Sequence, residues 1–213
     1  RPTNLYPSLL AQGFGAIWFT DWADWFGKGG AVEERTNTLF RFFYRGFETH
    51  YENRYRLRAE GTTVICELLR EKAIGLGVHP QNLLYLPNAV NNPRINKIDT
   101  KNARDQLGLL EKTFIIGLVG ANFRSDHDLI RNTCRLFEKY PNVKFLHIGR
   151  SMPMAEKPEN LYFTGEVDQG TLNLYISACS VCWLPLAQVP ANEGRLPLRL
   201  SDYFSAGKTI ITT

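Results

Sequence analysis

The sequence has no long apolar run. In the 213 residues, no apolar stretch approaches the length of roughly 20 residues that a membrane-spanning helix needs. The first residues also lack the basic-then-apolar order of a secretory signal peptide. We therefore expect a globular protein without a membrane-spanning helix, and the sequence gives no support for secretion.

Cysteine is scarce as well, with four residues at positions 66, 134, 179 and 182. They are too few and too scattered for a disulfide framework, which favours a reducing compartment and a cytoplasmic location. Cys179 and Cys182 have the spacing of a metal or redox pair. No second Cys or His pair lies near them in the sequence, and they border an apolar stretch. We therefore expect buried thiols and no metal site.

Apolar residues, in contrast, are plentiful. They make up 44% of the chain, and aromatic residues make up 12%, which suffices for a substantial core. The formal net charge of +4 suits a phosphate-bearing ligand or an anionic membrane surface. The arginines do not gather with aromatic residues on a predicted strand, so nucleic-acid binding is not expected.

The second half of the chain alternates apolar strands with helical stripes. Strands are predicted at 113–119, 143–148, 161–163, 181–184 and 209–212. Helices are predicted at 126–140, 171–178 and 197–206. Alternation of this kind predicts an α/β fold, with a Rossmann-like parallel sheet, right-handed crossovers and helices on both faces.

The first half is less regular. Strands are predicted to end near residue 20 and to cover 62–66 and 82–86, with helices at 38–58 and 67–76. A polar turn at 91–94 indicates the domain boundary. We therefore predict a partial first domain over 1–90 and a nearly complete second domain over 91–213.

The helix predicted at 38–58 is dense in aromatic residues and arginine. An amphipathic surface of this composition suits peripheral contact with anionic lipid. A packed helix with its arginines in water explains the same pattern, because aromatic side chains fill cores as readily. Both interpretations remain open at this point.

Ligands of parallel sheets bind at the carboxyl ends of the strands. The loop after the strand at 113–119 offers Gly120 for close backbone approach and Arg124 for a phosphate. His127 lies near this loop, whereas His147 falls inside a strand and is expected to be a buried, hydrogen-bonded core residue.

A second candidate region precedes the last helix. Pro197 suits the first helical turn, Gly194 leaves room for a diphosphate, and Arg195 or Arg199 counters its charge. Asp202 lies about one turn further on, where its carboxylate suits a pair of ribose hydroxyls. The simpler interpretation is an ion pair between Arg199 and Asp202 on a solvated helix face.

Five short motifs occur in the order seen in a known enzyme family. They are Pro87-Asn88-Ala89, Val119-Gly120, Phe163-Thr-Gly-Glu-Val167, Ser180-Val-Cys-Trp-Leu-Pro185 and the helix from Pro197 to Lys208. Together they resemble the donor half of a GT-B glycosyltransferase, closest to the retaining family 4. The resemblance covers residues 62–213 well and residues 1–61 loosely.

The resemblance implies two Rossmann-like domains, with an acceptor-side domain first and a donor-binding domain second. It implies transfer of a hexose from a UDP- or GDP-sugar to a glycan, lipid-linked or small-molecule acceptor, in glycan biosynthesis. The transfer retains anomeric configuration and needs neither a metal nor another cofactor. Peripheral contact with the inner face of a membrane is a further hypothesis.

The site residues implied by the resemblance follow from position. Asp202 matches the second glutamate of the family, the ribose ligand, and Arg199 matches a lysine. Glu193 lies beside the first glutamate, whose usual spacing of eight falls on Gly194. Arg124 matches a basic diphosphate contact, whereas Asp126 and His127 replace the usual Lys-Gly. The candidate catalytic residues are Glu193 and Arg124, and the candidate donor-binding residues are Gly120, Arg124, Gly194, Arg195, Leu196, Pro197, Leu198, Arg199 and Asp202.

Two other functions remain open. The departures from the family pattern at Gly194 and at Asp126-His127 favour a non-catalytic nucleotide-sugar-binding or scaffold module of the same fold. An epimerase or phosphorylase of this fold is the third reading, and the set of acidic and histidine groups that an epimerase needs in both domains is not recognisable in the sequence.

Overall fold

The computed structural model describes residues 2–89, 98–120, 124–154 and 156–213, without the side chains of residues 2, 3, 124 and 125. The chain forms two compact units. The first unit combines Arg1–Asn88 with Val189–Leu196, and the second combines Ala89–Gln188 with Pro197–Thr213. The boundary predicted at 91–94 lies outside the described residues. The acceptor-side and donor-side roles of the two domains stay predictions.

The first unit contains a three-stranded parallel sheet. In chain order its elements are α1 (Pro2–Gly13), β1 (Phe19–Trp22), α2 (Thr38–Arg54), β2 (Gly61–Val64), α3 (Glu67–Gly75) and β3 (Leu83–Tyr85). The strands lie side by side in the order β1-β2-β3. The helix predicted at 38–58 ends at Arg54 and is followed by a short 3-10 turn at Arg56–Arg58. A small core forms around Trp22, Val64 and Leu69, all of which are fully buried.

The second unit contains a five-stranded parallel sheet. Its elements are α4 (Thr100–Leu107), β4 (Phe114–Val119), α5 (Arg124–Phe137), β5 (Val143–Ile148), β6 (Leu161–Phe163), α6 (Gln169–Ala178), β7 (Val181–Leu184), α8 (Arg199–Ser205) and β8 (Ile210–Thr212). A single-turn helix, α7 (Pro190–Glu193), precedes α8 and belongs to the first unit. The strands are ordered β6-β5-β4-β7-β8. This is the 3-2-1-4-5 order of a Rossmann-like sheet.

Helices cover both faces of the five-stranded sheet, as predicted. On one face Leu118 and Phe145 pack with Ile130 of α5. On the other face the core includes Ile176 of α6 and Tyr203 of α8. Side chains alternate between the faces because successive residues of a strand point in opposite directions. The α/β fold class of the sequence analysis is therefore confirmed.

The cysteine pair lies in the core. Cys179 and Cys182 are both fully buried and unoxidised, as predicted. A Cβ on Gly117 of β4 would lie 2.4 Å from Cys179 Sγ, so glycine is needed there for close packing. A hydrogen bond with Cys182 and burial both raise the pKa of the Cys179 thiol. Such a thiol stays protonated and unreactive, which fits a packing role.

Candidate functional site

The strand order of the second unit defines a switch point between β4 and β7. Chain crossovers leave the sheet in opposite directions there, and the crevice at the carboxyl ends of these strands is where such folds bind ligands. Gly120 directly follows β4 with a φ of +82°, a conformation that favours glycine. Gly149 follows β5, and a Cβ there would lie 3.4 Å from Gly120 Cα. Two bare backbone segments therefore lie close together at this edge.

Helix α8 is joined to the end of β4 by two buried side chains. The Tyr203 hydroxyl accepts a hydrogen bond from Val119 N at 2.9 Å and contacts Trp183 O at 3.3 Å. Arg199 Nη1 donates to Val119 O at 3.2 Å. Both backbone polar groups of Val119, the last residue of β4, are thus bonded to side chains of α8. The Arg199 guanidinium lies beside Gly120 as a result, at the edge where an anionic ligand is expected.

Tyr203→Phe tests this junction. The variant keeps the ring but leaves the buried Val119 N–H without its partner, so we expect the free energy of unfolding to fall by about 1–3 kcal/mol. Urea unfolding followed by circular dichroism measures the change. Tyr162→Phe serves as the control, because Tyr162 is 45% exposed and its loss should change stability by less than about 0.5 kcal/mol. Equal stability of Tyr203→Phe and the unaltered chain would contradict the role of the hydroxyl.

Asp126 closes the other side of the switch point. It is fully buried, and its Oδ1 accepts a hydrogen bond from Ala187 N at 2.9 Å. This bond links the beginning of α5 to the loop that follows β7. In the sequence, Asp126 is notable only because it replaces the lysine usual in the family that the motifs resemble. Its partner lies 61 residues away, so no local pattern indicates this structural role.

His147 lies on β5 beneath this edge and is fully buried, as predicted. Burial lowers the pKa of His147, and hydrogen bonds with the backbone of Gly120 and Gly149 raise it in part. Arg199 and His127 lower this pKa further through charge repulsion. His147 therefore adds a neutral imidazole rather than a permanent charge to the candidate site at neutral pH.

The lowered pKa of His147 predicts a pH-dependent stability. The unfolded chain binds a proton at His147 near pH 6.5, whereas the folded chain does so only at lower pH. The folded protein should therefore lose stability as the pH falls below about 6.5 towards the folded pKa. In urea unfolding at pH 5 to 8, His147→Gln should flatten this slope. An unchanged slope in His147→Gln would refute the assignment.

Asp202 lies one turn after Arg199 on α8 and is half-buried. Burial raises the pKa of its carboxyl group. Burial is the sole cause of this shift, with no contribution from the charge of Arg199, so the Arg199–Asp202 ion pair considered from the sequence does not form between these two described residues. Asp202 thus places a partly desolvated carboxylate on α8, and a carboxylate can accept hydrogen bonds from a ligand.

The remaining predicted residues fall into two groups. Pro197, Leu198, Arg199 and Asp202 lie in the second unit with Gly120. Glu193, Gly194, Arg195 and Leu196 belong to the first unit. The Arg124 side chain lies outside the described part, although its backbone begins α5. The predicted helix at 197–206 begins at Arg199, without a side-chain cap.

Arg195 is the main departure from the predicted arrangement. Its side chain is only 4% exposed, and its guanidinium is paired with Glu34 through both terminal nitrogens. The Leu196 carbonyl accepts a hydrogen bond from Asn88 Nδ2 at 2.7 Å. Glu34 lies 161 residues before Arg195, so sequence spacing cannot reveal the pair.

Neither a metal-binding cluster nor a membrane-spanning helix occurs among the described residues. Across the described ranges, no group of three or more His, Cys, Asp or Glu side chains is placed to hold a metal ion. No helix in the portion of the chain that the structure describes is both long and apolar enough to cross a membrane.

Comparison with solved structures identifies the fold. HepE from Anabaena, solved with UDP and glucose, superposes with a TM-score of 0.64 at 12% identity, covering 98% of this chain and 55% of its own. Sucrose-phosphate synthase from Thermosynechococcus elongatus gives a TM-score of 0.67 at 19% identity, covering 96% and 52%. WaaG, a glycosyltransferase involved in lipopolysaccharide biosynthesis, gives 0.59 at 15% identity, covering 91% and 55%.

The chain has the fold of the GT-B glycosyltransferases. The resemblance seen in the sequence motifs is thus confirmed for the fold. No protein family matches the sequence, and no curated protein matches it either. The chain spans about half the length of the GT-B structures it matches.

Proposed function

We propose that the chain is the nucleotide-sugar-binding part of a glycosyltransferase. The observation that carries the proposal is the edge formed by Gly120, Gly149 and Arg199 at the switch point of a Rossmann-like sheet. Bare backbone permits a diphosphate to approach closely, and a guanidinium supplies charge-assisted hydrogen bonds. Related folds support the proposal, since HepE was solved with UDP-glucose.

The proposed reaction moves a hexose from a UDP- or GDP-sugar to an acceptor, with retention of configuration and without a metal ion. Negative charge grows on the leaving diphosphate as the glycosidic bond breaks. Arg199 stabilises that charge, and Asp202 accepts hydrogen bonds from the ribose hydroxyls. Helix α8 has only seven residues, so its dipole is small. We therefore attribute the stabilisation of the diphosphate to Arg199.

The other site residues keep the roles proposed from the resemblance. Arg124 contributes a second positive charge at the diphosphate, and Glu193 acts around the donor sugar. Gly194, Leu196, Pro197 and Leu198 complete the proposed donor-binding set, without Arg195, whose guanidinium is engaged by Glu34. The first unit takes the acceptor, a glycan or a lipid-linked sugar, in a cytoplasmic setting that the scarcity of cysteine favours.

We further propose that helix α2 makes peripheral contact with an anionic membrane surface. Phe40, Phe42 and Phe43 are 56%, 75% and 66% exposed, so the packed-helix interpretation does not hold for these three side chains. A groove of about 720 Å³ beside them is lined by Lys28, Arg45, Gly46, Thr49, His50, Asn53, Arg54, Leu57 and Leu76 together with Phe42. Exposed aromatic and cationic side chains on one helix suit an anionic lipid surface.

Flotation with vesicles tests the membrane contact. We expect association with vesicles containing phosphatidylglycerol, loss of it at high salt, and a clear decrease in the Phe42→Ser/Phe43→Ser variant. Leu110→Ser, which changes a side chain 77% exposed in the second unit, is the control. Equal binding to neutral and anionic vesicles would remove the proposal of membrane contact.

Calorimetric titration with UDP, GDP and their sugars tests the proposed function. Saturable binding of one nucleotide at micromolar to millimolar concentration is expected, followed by release of UDP from UDP-glucose when an acceptor or water reacts. Absence of binding would contradict the proposal. Binding without turnover would favour the nucleotide-sugar-binding scaffold, which the Asp126 replacement and the displaced Glu193 also favour.

A further inference from the structure

The segment that carries Glu193 is anchored within the first unit. The Leu196 carbonyl accepts a hydrogen bond from Asn88 Nδ2 at 2.7 Å, and the Glu193 carbonyl contacts Cys66 Sγ at 3.9 Å. Gly194 is packed so tightly that a Cβ there would lie 2.8 Å from Trp25 Cβ. Glycine is needed at this position for packing against Trp25.

Arg195 is the strongest of these anchors. Its Nη1 donates to Glu34 Oε1 at 3.0 Å and to Asn192 Oδ1 at 2.6 Å, and Nη2 donates to Glu34 Oε2. Asp24 Oδ1 lies 3.7 Å from Arg195 Nε as a second carboxylate. A planar guanidinium fits this bidentate arrangement, which an ammonium group cannot reproduce.

The charged groups around Arg195 are largely shielded from solvent. The side chains of Arg195 and Glu34 are 4% and 18% exposed, so solvent screens their attraction only weakly. Burial raises the pKa of Asp24, while Arg195 lowers it. Removing one member would leave buried charge without its partner. Glu193, in contrast, is exposed.

We propose that Arg195 is a positioning residue, which through Glu34 holds the Asn192–Leu196 segment so that Glu193 is presented in one fixed orientation for sugar transfer. The proposal rests on the proposed glycosyltransferase function. In this role Arg195 supports Glu193 and does not contact the diphosphate. Displacement of a reacting group by about 1 Å can cost two orders of magnitude in rate, so such support matters for turnover.

Arg195→Lys separates the two roles. The positioning role predicts that the turnover number for UDP release from UDP-glucose falls by about 10- to 100-fold while the donor KM and the UDP dissociation constant change by less than about threefold. Hydrogen exchange of peptide amides over 189–196 should become at least about tenfold faster, with β2 unchanged. Glu34→Gln should reproduce both effects, and serves if Arg195→Lys does not fold.

Arg150→Lys is the matched control. Arg150 donates to Glu166 through Nε at 3.0 Å and Nη2 at 2.6 Å, but these side chains are 78% and 71% exposed. We expect no change in turnover or exchange there. Unchanged exchange and turnover in Arg195→Lys, or a loss of UDP affinity as large as that of Arg199→Met, would overturn the positioning role. If the unaltered chain binds no UDP, the proposed function fails, and the exchange experiment still decides whether Arg195 anchors the segment.

Discussion

Arg199→Met is expected to weaken UDP binding about 100-fold, a loss of about 2.7 kcal/mol. Arg199 is the buried cation whose position at the end of β4 is fixed by its bond to Val119 O. The variant removes the proposed charge-assisted contact with the diphosphate, and such contacts typically contribute about 1.5–3 kcal/mol. Calorimetric titration of UDP into the unaltered chain and the variant measures the difference.

Two further variants make the Arg199 test specific. Arg199→Lys keeps the charge but not the planar geometry, so an intermediate affinity is expected. Arg131→Met removes an arginine of α5 that pairs with Asp128 at 2.7 Å on the surface, and its affinity should change less than about twofold. Binding is compared at a temperature where urea unfolding shows each variant to be folded. UDP affinity within twofold of the unaltered chain in Arg199→Met would refute the diphosphate contact.

Asp202→Asn is expected to have opposite effects on binding and stability. Loss of the proposed charge-assisted acceptor for the ribose hydroxyls should weaken UDP binding by about 10- to 50-fold. Burial raises the pKa of Asp202, so ionising this group costs stability in the folded protein. That cost is absent at acidic pH, where the group is protonated in both states, and appears as the pH rises through the folded pKa.

The stability of Asp202→Asn should therefore equal or exceed that of the unaltered chain at pH 7, and this advantage should vanish towards pH 3. Urea unfolding at both pH values gives the comparison. Asp105→Asn, at an exposed position of α4, should alter neither binding nor stability beyond about 0.5 kcal/mol. Unchanged UDP affinity in Asp202→Asn would contradict the ribose contact, and lower stability at pH 7 would contradict the burial cost.

The strands of the second unit can be predicted from the sequence because each is marked by a local run of apolar residues. The strands at 143–148, 161–163 and 181–184 are predicted at the bounds that the structure shows. Each is an apolar run of the length expected for a buried parallel strand. Helix α4 escapes prediction because it buries the cationic Arg104, whose Nε donates to Ala178 O at 2.9 Å, and so lacks an apolar stripe.

The candidate site is only partly readable, because its decisive contacts join distant residues. Gly120 and Asp202 are recognisable from glycine placement and family motifs. Arg195 lies four residues before Arg199 and, like it, precedes a leucine. Its carboxylate partner Glu34 nevertheless lies far away in the chain, and Arg195 belongs to the first unit. Tyr203 reads as an ordinary apolar position of a helix, and only the structure shows its hydroxyl at Val119 N.

The most direct test of the central claim is an amide NMR titration of the isotope-labelled chain with UDP. Binding at the switch point predicts saturable shifts of the Gly120 and Gly149 amides and of α8, with Gly108 at the end of α4 unchanged. These shifts should disappear in Arg199→Met at the same UDP concentration. Two results would contradict a diphosphate site at this edge of the sheet. One is UDP binding that saturates while the Gly120 and Gly149 resonances do not shift, and the other is the absence of any shift of these resonances at millimolar UDP.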